Sequence, residues 1–137
     1  MKTIFLTGAS RGLGRAIAET ALDAGDQVAL TARDPDTLAD LIASHPDNAA
    51  AFALDVTDPA AAQAAIRAAT ERFAPPDVIV TNAGYSDIAS IEDATLAAIH
   101  AVVDTNLWGV VNVVKARNRL SCRYEAFRAS DPGYPSS

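Results

Sequence analysis

Thr7-Gly8-Ala9-Ser10-Arg11-Gly12-Leu13-Gly14 is the stretch on which the reading of this chain turns. A short apolar run, Thr3-Ile4-Phe5-Leu6, precedes it, and Leu13, Ile17, Ala21 and Leu22 follow at helical spacing, so the segment reads strand, glycine turn, helix. Glycines suit such a turn for separate reasons. One accepts backbone angles closed to other residues, one lets a ligand touch the main chain, and one lets the helix pack close to the strand. The helix start presents unpaired N–H groups and a partial positive charge, where a phosphate is stabilised.

The pattern then repeats. Asp23-Ala24-Gly25 ends the first helix, with glycine suited to a left-handed cap, and Gln27-Val28-Ala29-Leu30-Thr31 reads as a second strand running to Arg33. Asp34-Pro35 starts another helix, Asp as N-cap and Pro at its first position, with Leu38, Leu41 and Ile42 as its apolar stripe. After the loop His45-Pro46-Asp47-Asn48 come a third strand, Ala51-Phe52-Ala53-Leu54, the turn Asp55-Val56-Thr57, and a second Asp-Pro cap opening an alanine-rich helix to Phe73. Pro75-Pro76 breaks it, and a fourth strand, Asp77-Val78-Ile79-Val80-Thr81, runs into Asn82-Ala83-Gly84. Crossovers of this length are what parallel strands require. A long helix is expected from about Thr95 to Lys115, with Leu96, Ile99, Val103, Leu107, Val110 and Val114 on one face. Asn106 sits at the margin of that face, about 60° from its middle by the helical period, and its amide needs a partner.

Composition bounds the answer. At 137 residues the chain is one soluble, globular domain, and its abundant alanine suits helices packed closely on a parallel sheet. A net charge of −6 with no basic run argues against a nucleic-acid surface. Cys122 is the only cysteine, which excludes an internal disulfide, and no metal cluster is expected; His45 and His100 read as surface residues. No apolar segment is expected to span a membrane, and Met1-Lys2 leads into a strand, so a cytoplasmic location without a membrane partner is the expectation. Charge is uneven: residues 1–114 carry 6 basic and 15 acidic side chains, residues 115–137 carry 5 basic and 2 acidic.

In a doubly wound sheet, ligands sit at the carboxyl ends of strands. Four features fall at such ends: the glycine loop, Arg33, Asp55, and Asn82-Ala83-Gly84. Together with Asp55-Val56-Thr57-Asp58 and Asp104-Thr105-Asn106-Leu107-Trp108-Gly109, in this order, they make residues 2–115 resemble the short-chain dehydrogenase/reductase family. The resemblance implies an α/β fold: a Rossmann-like doubly wound parallel sheet, here incomplete with about four strands. Residues 1–115 would form an NAD(P)-binding domain and 116–137 an atypical tail, through truncation, a frame change or a damaged gene.

By the same resemblance, Gly8, Ser10, Arg11, Gly12, Leu13 and Gly14 would hold the pyrophosphate and adjoining ribose of a dinucleotide. Asp55 would accept from the adenine amino group, with Val56 lining its pocket; the alternative is a loop-capping aspartate. Asn82, Ala83 and Gly84 would let the backbone pass close to the cofactor, or merely end a strand. Asn106 resembles the family's helix asparagine, counted among its catalytic residues because it supports a proton-relay water and the catalytic lysine; the alternative is a polar residue bonded to backbone within the core. A carboxylate after the second strand would repel a 2′-phosphate, whereas an arginine fork pairs with one. Here Ala32 is followed by Arg33, with Arg11 in the loop, which favours NADP(H) over NAD(H), and Asp34 is explained as a cap.

The family's tyrosine, the lysine four residues after it and the preceding serine have no match. Tyr85 is followed at four residues by Ala89, Tyr124 by Arg128, and Tyr134 lies too near the end. The expected function is therefore that of an NADP(H)-dependent oxidoreductase acting on an unspecified carbonyl or alcohol, in an inactive or incomplete form; the alternative is a nucleotide-binding module without turnover. With strand four left as an edge, a homo-oligomer is also expected.

Overall fold

In a computed structural model, which describes residues 1–87 and 89–120, four parallel strands lie in the order β3-β2-β1-β4. They are β1 Thr3–Thr7, β2 Gln27–Ala32, β3 Ala49–Ala53 and β4 Val78–Val80. The helices are α1 Gly12–Asp23, α2 Ala39–Ser44 after a 3₁₀ turn at Pro35–Leu38, α3 Pro59–Arg72, α4 Leu96–Val103 and α5 Gly109–Leu120. The expected strands are all present, shifted by one or two residues at their ends.

Strand alternation divides the core between the two sheet faces. Leu6, Val28 and Leu30 point to α1 and α2, meeting Ala18, Leu22, Leu38 and Leu41. Phe5 and Ala29 point the other way and meet Ala62, Ala65, Ile66 and Ala69 of α3 with Val113 and Ala116 of α5. Alanine on α3 lets that helix sit close to the sheet. Asp58 caps α3 by accepting from Ala60 N and Ala61 N, and Gly25 takes φ +84°, as expected; Asp34 accepts from Asp36 N but caps a 3₁₀ turn, and the α-helix after it begins only at Ala39.

Four expectations are corrected. The single helix expected at Thr95–Lys115 is α4 and α5 joined by a wider π turn at Asp104–Trp108, and it runs on through Leu120. The large apolar stripe is not its inward face. Leu96, Val103, Leu107 and Val114 are exposed, whereas Gly109, Val113 and Ala116 are buried, because only small side chains and one valine fit between this helix, the sheet and α3. The stretch Leu96–Arg117 does reach membrane-spanning length and hydropathy. It is nonetheless tied to the sheet by Val113 and Ala116 and by the amides of Asn106 and Asn112. His45, expected on the surface, is half-buried, its Nε2 lying 3.2 Å from Asp23 Oδ1. His100 is exposed.

Candidate functional site

The loops at the carboxyl ends of all four strands converge on one cavity of about 970 Å³. Gly8, Ser10, Arg11, Gly12, Leu13, Arg33, Asp55, Val56, Asn82, Ala83 and Gly84 line it. Gly14 and Asn106, the two remaining expected site residues, stand behind the lining and shape it.

At the first loop, Gly8 and Gly12 have φ of +69° and +57°, where other residues are strained. Gly14 answers a different need: a Cβ there would stand 2.2 Å from the Gly8 carbonyl oxygen and 2.4 Å from Asn82 Nδ2. Its bare Cα is what lets α1 begin directly beneath the loop. The start of α1 also differs from those of α3 and α4. Asp58 and Thr95 cap α3 and α4, whereas among the described residues no side chain caps α1 and its first turn holds no acid. The amides at the mouth of α1 therefore keep their capacity for an anion.

Thr7 fixes the mouth from below. Its hydroxyl is buried and accepts from Asn82 N and Ala83 N, each at 3.0 Å, while Asn82 Nδ2 donates to Thr7 O (3.2 Å) and Gly8 O (3.0 Å). Asn82 thus does more than end a strand: its side chain fastens the fourth loop to the first.

At the other end of the cavity, Asp55 Oδ1 accepts from the Thr57 hydroxyl (2.7 Å) and the Thr57 amide (2.9 Å). These two bonds, and to a lesser degree the positive charge of Arg33, hold the Asp55 carboxyl below the usual aspartate range despite some burial. Loop capping is therefore one of its tasks, and among the described residues Oδ2 makes no hydrogen bond. Between these ends lie Ala32, Arg33, Asp34 and Thr37. The Asp34 carboxylate is turned to Asp36 N at 3.1 Å, and the Thr37 hydroxyl donates to Asp34 O.

Asn106 sits in the π turn, a departure from α-helical geometry of the kind often met at functional sites. Its Oδ1 accepts from Tyr85 N at 3.0 Å and its Nδ2 donates to Tyr85 O at 2.7 Å, so both halves of the amide hold one residue's main chain. Gly84 is needed beside it, since a Cβ would meet Asn106 Oδ1 at 2.9 Å. The side chain is thus bonded to backbone, but on an exposed residue and not within the core. Tyr124 and Arg128 lie outside the described residues. Missed from the sequence were Thr7, Thr37, Thr57, Tyr85 and Thr105; Thr7, Thr57 and Thr105 lay inside motifs named above, but nothing in a linear pattern says which hydroxyls turn inward.

The short chain dehydrogenase family model matches residues 2–121. An oxidoreductase of Botryotinia fuckeliana is 45% identical over 116 residues, covering 84% of this chain and 42% of that protein. A short-chain dehydrogenase from Streptomyces avermitilis superposes with a TM-score of 0.82 at 37% identity, over 87% of this chain and 45% of its own. The carbonyl reductase from chicken fatty liver, solved with NADPH bound, gives 0.79 at 29%, over 86% of this chain and 50% of its own. The chain spans about half the length of these proteins. Carrying the family's match across most of its length, on a fold of the same architecture, this chain belongs to the short chain dehydrogenases.

Proposed function

We propose that the cavity binds NADP(H), and that the activity it serves is hydride transfer between the nicotinamide and a carbonyl or alcohol. The observation that carries the reading is electrostatic. Arg11 and Arg33 both line the cavity, and of the two carboxylates that line it with them, Asp34 is engaged with Asp36 N and Asp55 with Thr57. A 2′-phosphate placed there gains charge-assisted hydrogen bonds and meets no directed acid. The family relationship supports a nicotinamide dinucleotide, and the NADPH of the chicken reductase supports the phosphorylated form.

In this reading the α1 mouth and the amides of residues 8–14 take the pyrophosphate, Asp55 and Val56 take the adenine, and Ala83, Gly84 and Tyr85 line the nicotinamide end. The cofactor supplies the hydride chemistry. The residues of this chain bind and orient it, and Asn106 sets the main chain of Tyr85. Nothing among the 137 residues supplies the family's Tyr-x-x-x-Lys pair. That favours, as a second reading, binding without turnover by these residues alone.

Titration with NADPH and NADH tests the first reading. NADPH is expected to bind more tightly, and Arg33→Ala to weaken NADPH by about 10- to 100-fold while leaving NADH almost unchanged. Equal or tighter NADH binding contradicts it. NADPH oxidation against a panel of carbonyl compounds separates the two readings, turnover counting against the second.

We also propose, from the exposed Leu107 and Trp108 and from β4, a sheet edge among the described residues, that copies of this chain associate.

A further inference from the structure

Asn106, Gly109 and Asn112 are spaced by three residues across the π turn and the start of α5. Asn106 holds Tyr85 at one end of the cavity. The other two reach its opposite end. Asn112 Nδ2 donates to Val56 O at 3.0 Å, and Gly109 lets the helix approach so closely that a Cβ would meet Val56 Cγ2 at 2.6 Å. Val56 is buried in the cluster that holds Val113, so the contact is packed on both sides of the hydrogen bond.

From these contacts we infer that Asn112 and Gly109 are positioning residues for the adenine end of the site, and that one helical stripe sets both the 55–57 loop and the 84–85 loop. The inference rests on the dinucleotide reading above for what the cavity holds, but the brace itself is a property of the loops. The Val56 carbonyl shares its peptide plane with Thr57 N, which donates to Asp55 Oδ1, so a carbonyl fixed from α5 fixes the amide that holds the Asp55 carboxylate. Without the Asn112 amide, a half-buried carbonyl loses its partner, and the loop gains freedom that binding has to remove.

The test compares two fragments of the dinucleotide, adenosine 2′,5′-bisphosphate and nicotinamide mononucleotide, by calorimetry on the full chain. Asn112→Leu, close in shape and without the donor, is expected to weaken the adenosine fragment by about tenfold, the size of one lost hydrogen bond, and to leave the nicotinamide fragment unchanged. Gly109→Ala provides a second route. Alanine favours a helix over glycine, so the fold should hold. The new methyl is nevertheless expected to weaken the adenosine fragment, and Val56→Ala to restore part of that binding by making room. Unchanged adenosine affinity in both variants, or an equal loss for both fragments, overturns the inference while leaving the NADP(H) reading in place. If the unmodified chain takes neither dinucleotide nor fragment, that reading fails, and amide hydrogen exchange at residues 55–58 decides the brace alone. Faster exchange in Asn112→Leu than in the unmodified chain supports it, and equal exchange overturns it.

Discussion

Helix α3 and the α4–α5 run lie against the same face of the sheet, and they treat their outward sides in opposite ways. α3 buries Ala62, Ala65, Ile66 and Ala69 and turns Arg67, Glu71 and Arg72 to water. The α4–α5 run buries Gly109, Val113 and Ala116, yet its outer side carries Val103, Leu107, Trp108 and Val114, all substantially exposed. The first helix is finished on its outer side. The second is apolar on two sides with one of them covered, the pattern of an element that lies between layers. Together with β4, a sheet edge among the described residues, it makes the β4–α5 side of the molecule an open flank.

The sharpest way to break the contrast is to truncate one side chain on each helix and compare urea unfolding. Ile66→Ala removes a fully buried side chain from the α3 layer and is expected to cost about 2–5 kcal/mol. Leu107→Ala, on the outer side of the second helix, is expected to change stability by no more than about 0.5 kcal/mol. Similar costs at both positions would mean that the outer flank is covered in solution by something that folds with it.

Next in size is the join between the closed and open parts. Thr7 on β1 accepts from the two amides that follow β4 by two and three residues, and both donors lose their partner in Thr7→Val. Valine keeps the shape, so the expected cost of about 2 kcal/mol or more reads mainly the unpaired amides, with a smaller share from the long bond the hydroxyl donates to Val80 O. Thr7→Ser retains the acceptor and is expected to stay close to the unmodified chain. A valine variant as stable as the serine variant would show that water reaches those amides.

Association is expected to be weaker in energy but plain in kind. Sedimentation velocity at micromolar concentration should show an associated species, and Leu107→Lys with Trp108→Lys should return it to monomer, since large aromatic anchors contribute most to such contacts. A monodisperse monomer without substitution would contradict association through this flank.

What could be read from the sequence follows the same division. The β-α alternation, the caps at Asp34 and Asp58 and the left-handed Gly25 are local signals, carried by two to four adjacent residues, and the structure keeps them. The site's lining was legible because its loops all follow strands, and strand ends were visible. The inward face of α4–α5 was not. A period of 3.6 residues finds the larger apolar stripe, and here the smaller residues, Gly109, Val113 and Ala116, face the core because the space beside α3 admits nothing larger. The angle assigned to Asn106 assumed an unbroken α-helix, and a π turn carries no reliable mark in composition. Nor does any spacing show that Asn106 grips Tyr85, 21 residues away, or that Asn112 reaches Val56 across 56.

The smallest expected effect concerns Asp55, at the end of the cavity away from Asn106 and Tyr85. Its carboxyl is held below the ordinary aspartate value, first by the Thr57 hydroxyl, then by the Thr57 amide, and last by Arg33. A depressed value means that the folded chain favours the ionised form. The stability from these bonds is therefore fully present above the unfolded value, near about 3.9, and is lost only as pH falls through the lower folded value. Across neutral and mildly acidic pH the Asp55 anion should persist unchanged, ready to accept a hydrogen bond on Oδ2. A carboxyl-carbon NMR titration of Asp55 is expected to show its midpoint below that of an ordinary aspartate. Thr57→Val should move the midpoint upward, leaving the amide and Arg33 to hold what remains, and Arg33→Ala should move it less. If removing Arg33 moved it more than removing the hydroxyl, Arg33 would govern this end of the site as well, and the loop's own hydrogen bonds would be secondary to the charge beside them.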